Sequence, residues 1–227
     1  METLWENEQT RRRMLALPVC YFFLYMLCFF LLEEYVHPRY WISSDLDAYI
    51  PFCEYFLIPY LAWFPMVGGM FWYFYKRDPV SYLYLCRGML VGLTFCLAVY
   101  AIFPNGQLLR RPIEGDSLLC EMVRLLRRMD TPTNVCPSIH VFVTVTVALA
   151  AARSRAMARQ RLLRGALMIL SVLICMSTVF LKQHSIVDVA LGAALALALD
   201  LLLRQRHPES WLLFRLLRPR NSRTALD

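Results

Sequence analysis

The chain has 227 residues, of which 59% are hydrophobic, 14% aromatic and 18% charged, with a net charge of +7. Soluble domains run at about half apolar and a quarter charged, so this balance excludes an ordinary soluble domain and a disordered chain, and it suits a polytopic membrane protein. Lys76 and Lys182 are the two lysines; the rest of the basic excess is arginine, clustered between apolar runs as in membrane topology rather than spread as on a nucleic-acid surface.

A membrane-spanning helix needs about 20 mainly apolar residues, and six stretches qualify. An N-terminal tail, residues 1–13, ends in Arg11, Arg12 and Arg13 and precedes the first span, 14–32. This span reads as a retained helix and not a signal peptide. Its apolar core is too long, and Glu33 and Glu34 stand where small cleavage-site residues belong. The first loop is acidic, with Asp45 and Asp47 added to those two glutamates. The second span, 50–75, is interrupted by Pro59, Pro65, Gly68 and Gly69, and is followed by Lys76 and Arg77. The third is 82–103. The fourth, 139–158, is the weakest, with Arg153 and Arg155 near its end, placed to snorkel to the interface. The fifth is 162–181 and the sixth 184–203, and a basic tail, 207–227, closes the chain. The expected fold is therefore all-α, a six-helix membrane domain over 14–206 between two short tails. By the positive-inside rule both termini are cytoplasmic, and loops one, three and five face outward.

Loop three, 104–138, breaks that rule with Arg110, Arg111, Arg124, Arg127 and Arg128. Within it Leu118, Leu119, Met122, Leu125, Leu126 and Met129 recur at helical spacing, with Arg124, Arg127 and Arg128 on the other side. Asp116 is the expected N-cap, and Pro132 stops the run. Such a helix lies flat on lipid or covers a site, and the two roles are compatible. The eight cysteines form no C-x-x-C pair. Cys20, Cys28, Cys86, Cys96 and Cys175 lie in apolar runs and read as buried packing. Cys120 and Cys136 share loop three and could pair in an oxidising compartment.

Of the four histidines, His37 and His207 sit in polar flanks and read as surface residues. His140 opens the fourth span. His184 opens the sixth, with Asp188 four residues on, in reach of its ring on one helix face. An aspartate inside an apolar segment costs roughly 2.5–3.5 kcal/mol and needs a partner. Both histidines fall at outward helix N-termini, which favour phosphate. Arg111, in the connecting loop, is of the type that clamps phosphate in bidentate fashion. Two histidines and a carboxylate can also bind iron, but no motif supports a metal site.

At these residues the sequence resembles the type 2 phosphatidic acid phosphatase (PAP2) superfamily, whose motifs are K-x6-R-P, P-S-G-H and S-R-x5-H-x3-D. Here the first is Pro104-Asn105-Gly106-Gln107-Leu108-Leu109-Arg110-Arg111-Pro112. The second is Pro137-Ser138-Ile139-His140. The third is Ser177-Thr178, five residues, His184, three residues and Asp188. Pro104 replaces the lysine, Ile139 the glycine and Thr178 the arginine. Lys182 or Arg110 could supply a missing cation, and the motif flavour is closest to the inositol-phosphorylceramide-synthase-like branch.

The resemblance implies an outward-facing lipid phosphatase or phosphotransferase. His184 would form a phosphohistidine, Asp188 would orient its ring, and His140 would protonate the leaving group. Arg111, Ser138, Lys182 and Arg110 would hold the phosphate. Neither a metal nor a cofactor is implied, and the expected partners are a phospholipid or lipid phosphate and the surrounding membrane lipids, with no nucleic acid. Transfer of a phosphorylated headgroup to a lipid alcohol, as in inositol-phosphorylceramide or sphingomyelin synthesis, is the alternative. A non-catalytic membrane protein that kept the fold is a further one. Oligomeric state, acceptor and host membrane stay open.

Overall fold

The computed structural model describes residues 8–204. Helix α1 is Glu8–Tyr35, α2 Leu57–Arg77, α3 Pro79–Ile102, α4 Leu118–Met129, α5 Ile139–Arg153, α6 Arg155–Ala158, α7 Arg161–Phe180 and α8 Ile186–Arg204. Two 3-10 turns, Asp45–Ala48 and Glu54–Phe56, lie before α2. Strand β1, Tyr40–Trp41, pairs in parallel with β2, Asn105–Gly106, and this ties loop one to loop three. The chain is an all-α polytopic membrane protein. Five helices among the described residues are long and apolar enough to cross a membrane: α1, α2 with the turn before it, α3, α7 and α8. Their outer faces carry side chains such as Phe23, Leu24, Ile58, Ile102 and Leu202, all more than half exposed. So much apolar surface suits contact with lipid.

The fourth expected span is shorter than its hydropathy suggested. α5 has 15 residues; at 1.5 Å per residue it falls short of the roughly 30 Å apolar core of a bilayer. It ends at Ser154, whose hydroxyl caps α6 through the Met157 N–H and donates to Asp78 at 2.6 Å. α5 is the central helix, packed against α2, α3, α7 and α8. This enclosure buries Val141, Phe142, Val143, Val147, Ala150 and Ala151. Arg153 does not snorkel. Its guanidinium pairs in bidentate fashion with the buried Asp200 of α8, which also accepts from the Tyr84 hydroxyl at 2.7 Å. A carboxylate in an apolar helix thus has the partner it requires.

Other ends move by small, explicable steps. Asp78 caps α3 by accepting from the Ser81 N–H, with Pro79 at the first helical position. The N-cap of α4 is Ser117, one residue after the expected Asp116, and it accepts from the Cys120 N–H at 3.1 Å. α1 begins at Glu8, inside the expected tail. The tail at 207–227, His207 among it, lies outside the described residues. Cys120 and Cys136 are both buried free thiols, and Cys20 is exposed on α1 and not packed inside.

Candidate active site

The site forms where α5 and α8 start together. α7 ends in a left-handed turn at Lys182, with φ of 57°. There the Gln183 N–H reaches the Thr178 carbonyl at 2.9 Å and the Lys182 N–H reaches that of Val179 at 3.0 Å. This is the Schellman arrangement, with lysine where glycine is usual. It turns the chain into His184, which precedes α8 and is not its first residue. Ser185 and Asp188 then cap α8 reciprocally. The Ser185 N–H donates to Asp188 Oδ2 at 2.8 Å, and the Val187 N–H donates to Ser185 Oγ at 3.2 Å. Asp188 therefore folds back over the helix start, and the same Oδ2 lies 3.4 Å from His184 Nδ1 without closing a hydrogen bond.

α5 is fastened to this turn. The Ser138 N–H donates to the Asp188 carbonyl at 3.1 Å, and Ser138 Oγ caps α5 at the Val141 N–H. Gly192 lets α8 come close, since a Cβ there would lie 2.5 Å from the Ser138 carbonyl oxygen. The segment before α5 is held by Asn105. Its side chain accepts from the Val135 and Cys136 N–H groups and donates to the Cys136 carbonyl. The Tyr100 hydroxyl donates to the Pro137 carbonyl at 2.6 Å. The outcome is that the His140 and His184 rings face each other with centroids 6.3 Å apart. His140 also rests on Tyr60 and Trp63 of α2, at 4.6 and 4.5 Å between centroids. The Cys136 thiol is pushed up to about 12, by burial first and the Asp188 charge second. It stays protonated at neutral pH.

The cations divide sharply. Arg110 is turned inward. Its guanidinium donates to the Asp130 carbonyl at 2.5 Å and to the Gln183 side-chain oxygen, and it lies 3.5 Å from the Asp130 carboxylate. Burial lowers its pKa, with the charge of Asp130 the largest opposing influence. Burial raises that of Asp130, and the charges of Arg110 and then His184 pull it down. Arg110, Asp130 and His184 therefore share one electrostatic environment. Arg111, in the motif position, is exposed, and its guanidinium makes no hydrogen bond among the described residues. Lys182 is not in the pocket either: its ammonium donates to the carbonyls of Asp47 at 2.7 Å and of Ile50. Ser138 spends both its N–H and its hydroxyl inside the fold. Thr178 donates to the Cys175 carbonyl at 2.8 Å.

Six buried polar atoms at or beside the pair have no hydrogen-bond partner among the described residues: His140 Nε2, His184 Nδ1, Asp188 Oδ1, Trp63 Nε1, Arg110 Nε and Gln183 Nε2. Leaving such atoms unpaired costs about 1–3 kcal/mol each, so a cluster of them marks a place built for a polar ligand. The amides of Ile139 and His140, at the first turn of α5, add donors with no acceptor within the helix. The arrangement suits an anion bound between two imidazoles, one of them beside a carboxylate.

Sequence reasoning missed several of these residues. Gln183 adjoins His184 but belongs to no motif. In the sequence Asp47 stands only as one of the acidic charges of loop one. In the fold it is buried, accepting from the Ser185 hydroxyl at 2.6 Å, the Ile186 N–H at 2.9 Å and the Ser44 N–H at 2.8 Å. It braces the His184 turn from loop one. Asn105 and Gln107 are fully polar residues between two apolar spans. That placement was the signal available for their roles as buried clamps.

The fold is that of a polytopic α-helical membrane protein, and it brings His140, His184 and Asp188 together at one end. The PAP2 superfamily model matches residues 115–212. The matched stretch contains His140, His184 and Asp188 and begins after Arg110 and Arg111. No curated protein and no solved structure matches the chain.

Proposed function

We propose that this chain is a PAP2-type membrane enzyme that opens a phosphate ester of a lipid through a phosphohistidine on His184. The observation that carries the reading is the convergence of His140, His184 and Asp188 in the PAP2-matched part of the chain, amid buried polar atoms that lack partners. Superfamily members are generally phosphatases or phosphotransferases. In the first step His184 Nε2 attacks phosphorus. A P–N bond forms, the P–O bond to the lipid breaks, and the leaving oxygen takes its electron pair and a proton from His140. Asp188, beside Nδ1, stabilises the positive charge on the ring, and the 3.4 Å separation closes to a hydrogen bond as charge develops. Arg110 and the α5 amides face the equatorial oxygens, the stabilisation on which phosphoryl transfer mainly depends. In the second step His140 takes a proton from water or an alcohol. The incoming oxygen bonds to phosphorus, and the P–N electron pair returns to His184.

A second reading is headgroup transfer, in the manner of the inositol-phosphorylceramide-synthase-like branch. It is favoured by the charge around the phosphate position. Arg110 is the inward cation, and Asp130 sits beside it. One guanidinium flanked by a carboxylate suits a singly charged phosphodiester better than a dianionic monoester. The site would lie on the extracytoplasmic side, with both termini cytoplasmic, as the arginine distribution argues.

The test is to incubate purified protein with lipid phosphates and with phospholipids, with and without lipid alcohols, and to measure free phosphate and new phospholipid together. Free phosphate from monoesters supports hydrolysis, and new phospholipid that depends on the alcohol supports transfer. If neither product forms with any member of the panel, the enzymatic reading is wrong.

A further inference from the structure

The loop-three arginines break the charge rule, and the pocket absorbs only Arg110. The other four gather elsewhere. Arg111, Arg124, Arg127 and Arg128, with Pro112 and Ile113, line an open cleft of about 360 Å³ beside α4. Two of them are built into its walls. Arg124 donates to the Ile113 and Gly115 carbonyls at 2.9 and 2.6 Å and pairs with Glu121. Arg127 donates to the Arg111 carbonyl at 2.7 Å and the Leu181 carbonyl at 3.2 Å, while its Nε is buried without a partner. Burial and the nearby charge of Arg110 push Arg127 down to about 10. The guanidiniums of Arg111 and Arg128 are exposed and make no hydrogen bond among the described residues. Glu121 offsets only Arg124, so the remaining like charges at the cleft repel one another unless a further anion sits among them.

α4 shows where that anion comes from. Its inner face buries Cys120 and Val123, and Val123 packs in one cluster with Leu57, Tyr60 and Leu181. Its outer face is a row, Leu118, Met122, Leu125 and Met129, exposed by 75, 39, 56 and 74%. An apolar row at three- and four-residue spacing next to an arginine cleft is the pattern of a helix lying in a membrane interface, apolar face among the acyl chains and basic groups at headgroup depth.

We propose that α4 is an in-plane membrane helix, and that the arginine cleft binds the headgroup of an anionic membrane lipid at a site separate from the histidine pair. The lipid's phosphate engages Arg111 and Arg128, and its chains lie along the Leu118–Met129 row. Each arginine near an anionic surface contributes attraction equivalent to about fivefold in binding. This binding depends on the membrane setting of the chain and not on any catalytic step.

The test uses the full chain in detergent, titrated with phosphatidylglycerol or with phosphatidylcholine of the same acyl chains, with bound lipids counted by native mass spectrometry. Wild type is expected to retain phosphatidylglycerol preferentially. Arg128→Gln should weaken that retention about fivefold, and Arg124→Gln/Arg128→Gln further, with phosphatidylcholine unchanged. Arg128→Gln keeps the result interpretable, because its side chain holds no part of the loop. His184→Ala should retain the lipid as wild type does. Equal retention by wild type and both arginine variants overturns the proposal. So does loss in His184→Ala, which would put the lipid in the histidine pocket. Displacement of the lipid by millimolar inorganic phosphate would overturn it too, by marking a soluble-anion site.

Discussion

Arg110 and Arg111 are neighbours with opposite fates. Motif spacing selects Arg111, yet the inward guanidinium is that of Arg110, bonded to Gln183 beside His184. A loop has no fixed period, so sequence spacing leaves its facing undetermined by a residue either way. The His140, His184 and Asp188 set was legible because each residue sits at or beside a helix start, where hydropathy fixes position to within a few residues. For Arg110→Met we expect kcat/KM to fall about tenfold or more, the loss of one charge-assisted contact of roughly 1.5–3 kcal/mol, while Arg111→Met stays close to wild type. Steady-state kinetics on a lipid phosphate compares them, and a larger loss for Arg111→Met would restore the motif assignment. Lys182→Met should act on stability before catalysis, because the ammonium ties the His184 turn to the carbonyls of loop one. Thermal unfolding in detergent reads this as a lower midpoint, and an unchanged midpoint with lost turnover would return Lys182 to the pocket.

At the scale of elements, hydropathy located the helices but could not show which is central. The span that holds α5 reads as the weakest because Arg153 and Arg155 sit near its end, yet α5 is the helix the others enclose. Its shortness is tolerable because Asp200 and not lipid receives Arg153. The meeting of α5 and α8 rests on Gly192. Gly192→Ala should cost about 1–3 kcal/mol through overpacking and should lower kcat by moving His140 from His184. Gly165→Ala in α7, where an added Cβ meets nothing within 4 Å, should be neutral or stabilise by about 0.5–1 kcal/mol. Paired unfolding and kinetic measurements separate the two. Equal behaviour would show that the α5–α8 approach is not tight. Asp47→Ala removes the acceptor of three donors at the start of α8 and in loop one. It should destabilise by about 2 kcal/mol or more and reduce turnover. Its role was hidden in the sequence because loop one and the His184 turn are more than 130 residues apart.

For the whole molecule, loops one, three and five share the end that carries the histidines. The links are β1 with β2, the Cys53 N–H on the Phe180 carbonyl, and Thr131 on Glu33. In loop three Leu108 is 72% exposed, and Leu162 at the opposite end is 89% exposed. In intact cells, a membrane-impermeant thiol reagent should label Leu108→Cys and spare Leu162→Cys. The reverse pattern would invert the proposed orientation. Trapping the covalent intermediate tests the proposed phosphohistidine on His184. Purified protein is mixed with an aryl-leaving-group phosphate, quenched at alkaline pH to preserve a P–N bond, and digested for mass spectrometry. Phosphate is expected on His184, with none in His184→Ala and accumulation in His140→Ala, where the second step lacks its base. Normal turnover by a folded His184→Ala protein, or phosphate on another residue, would contradict it.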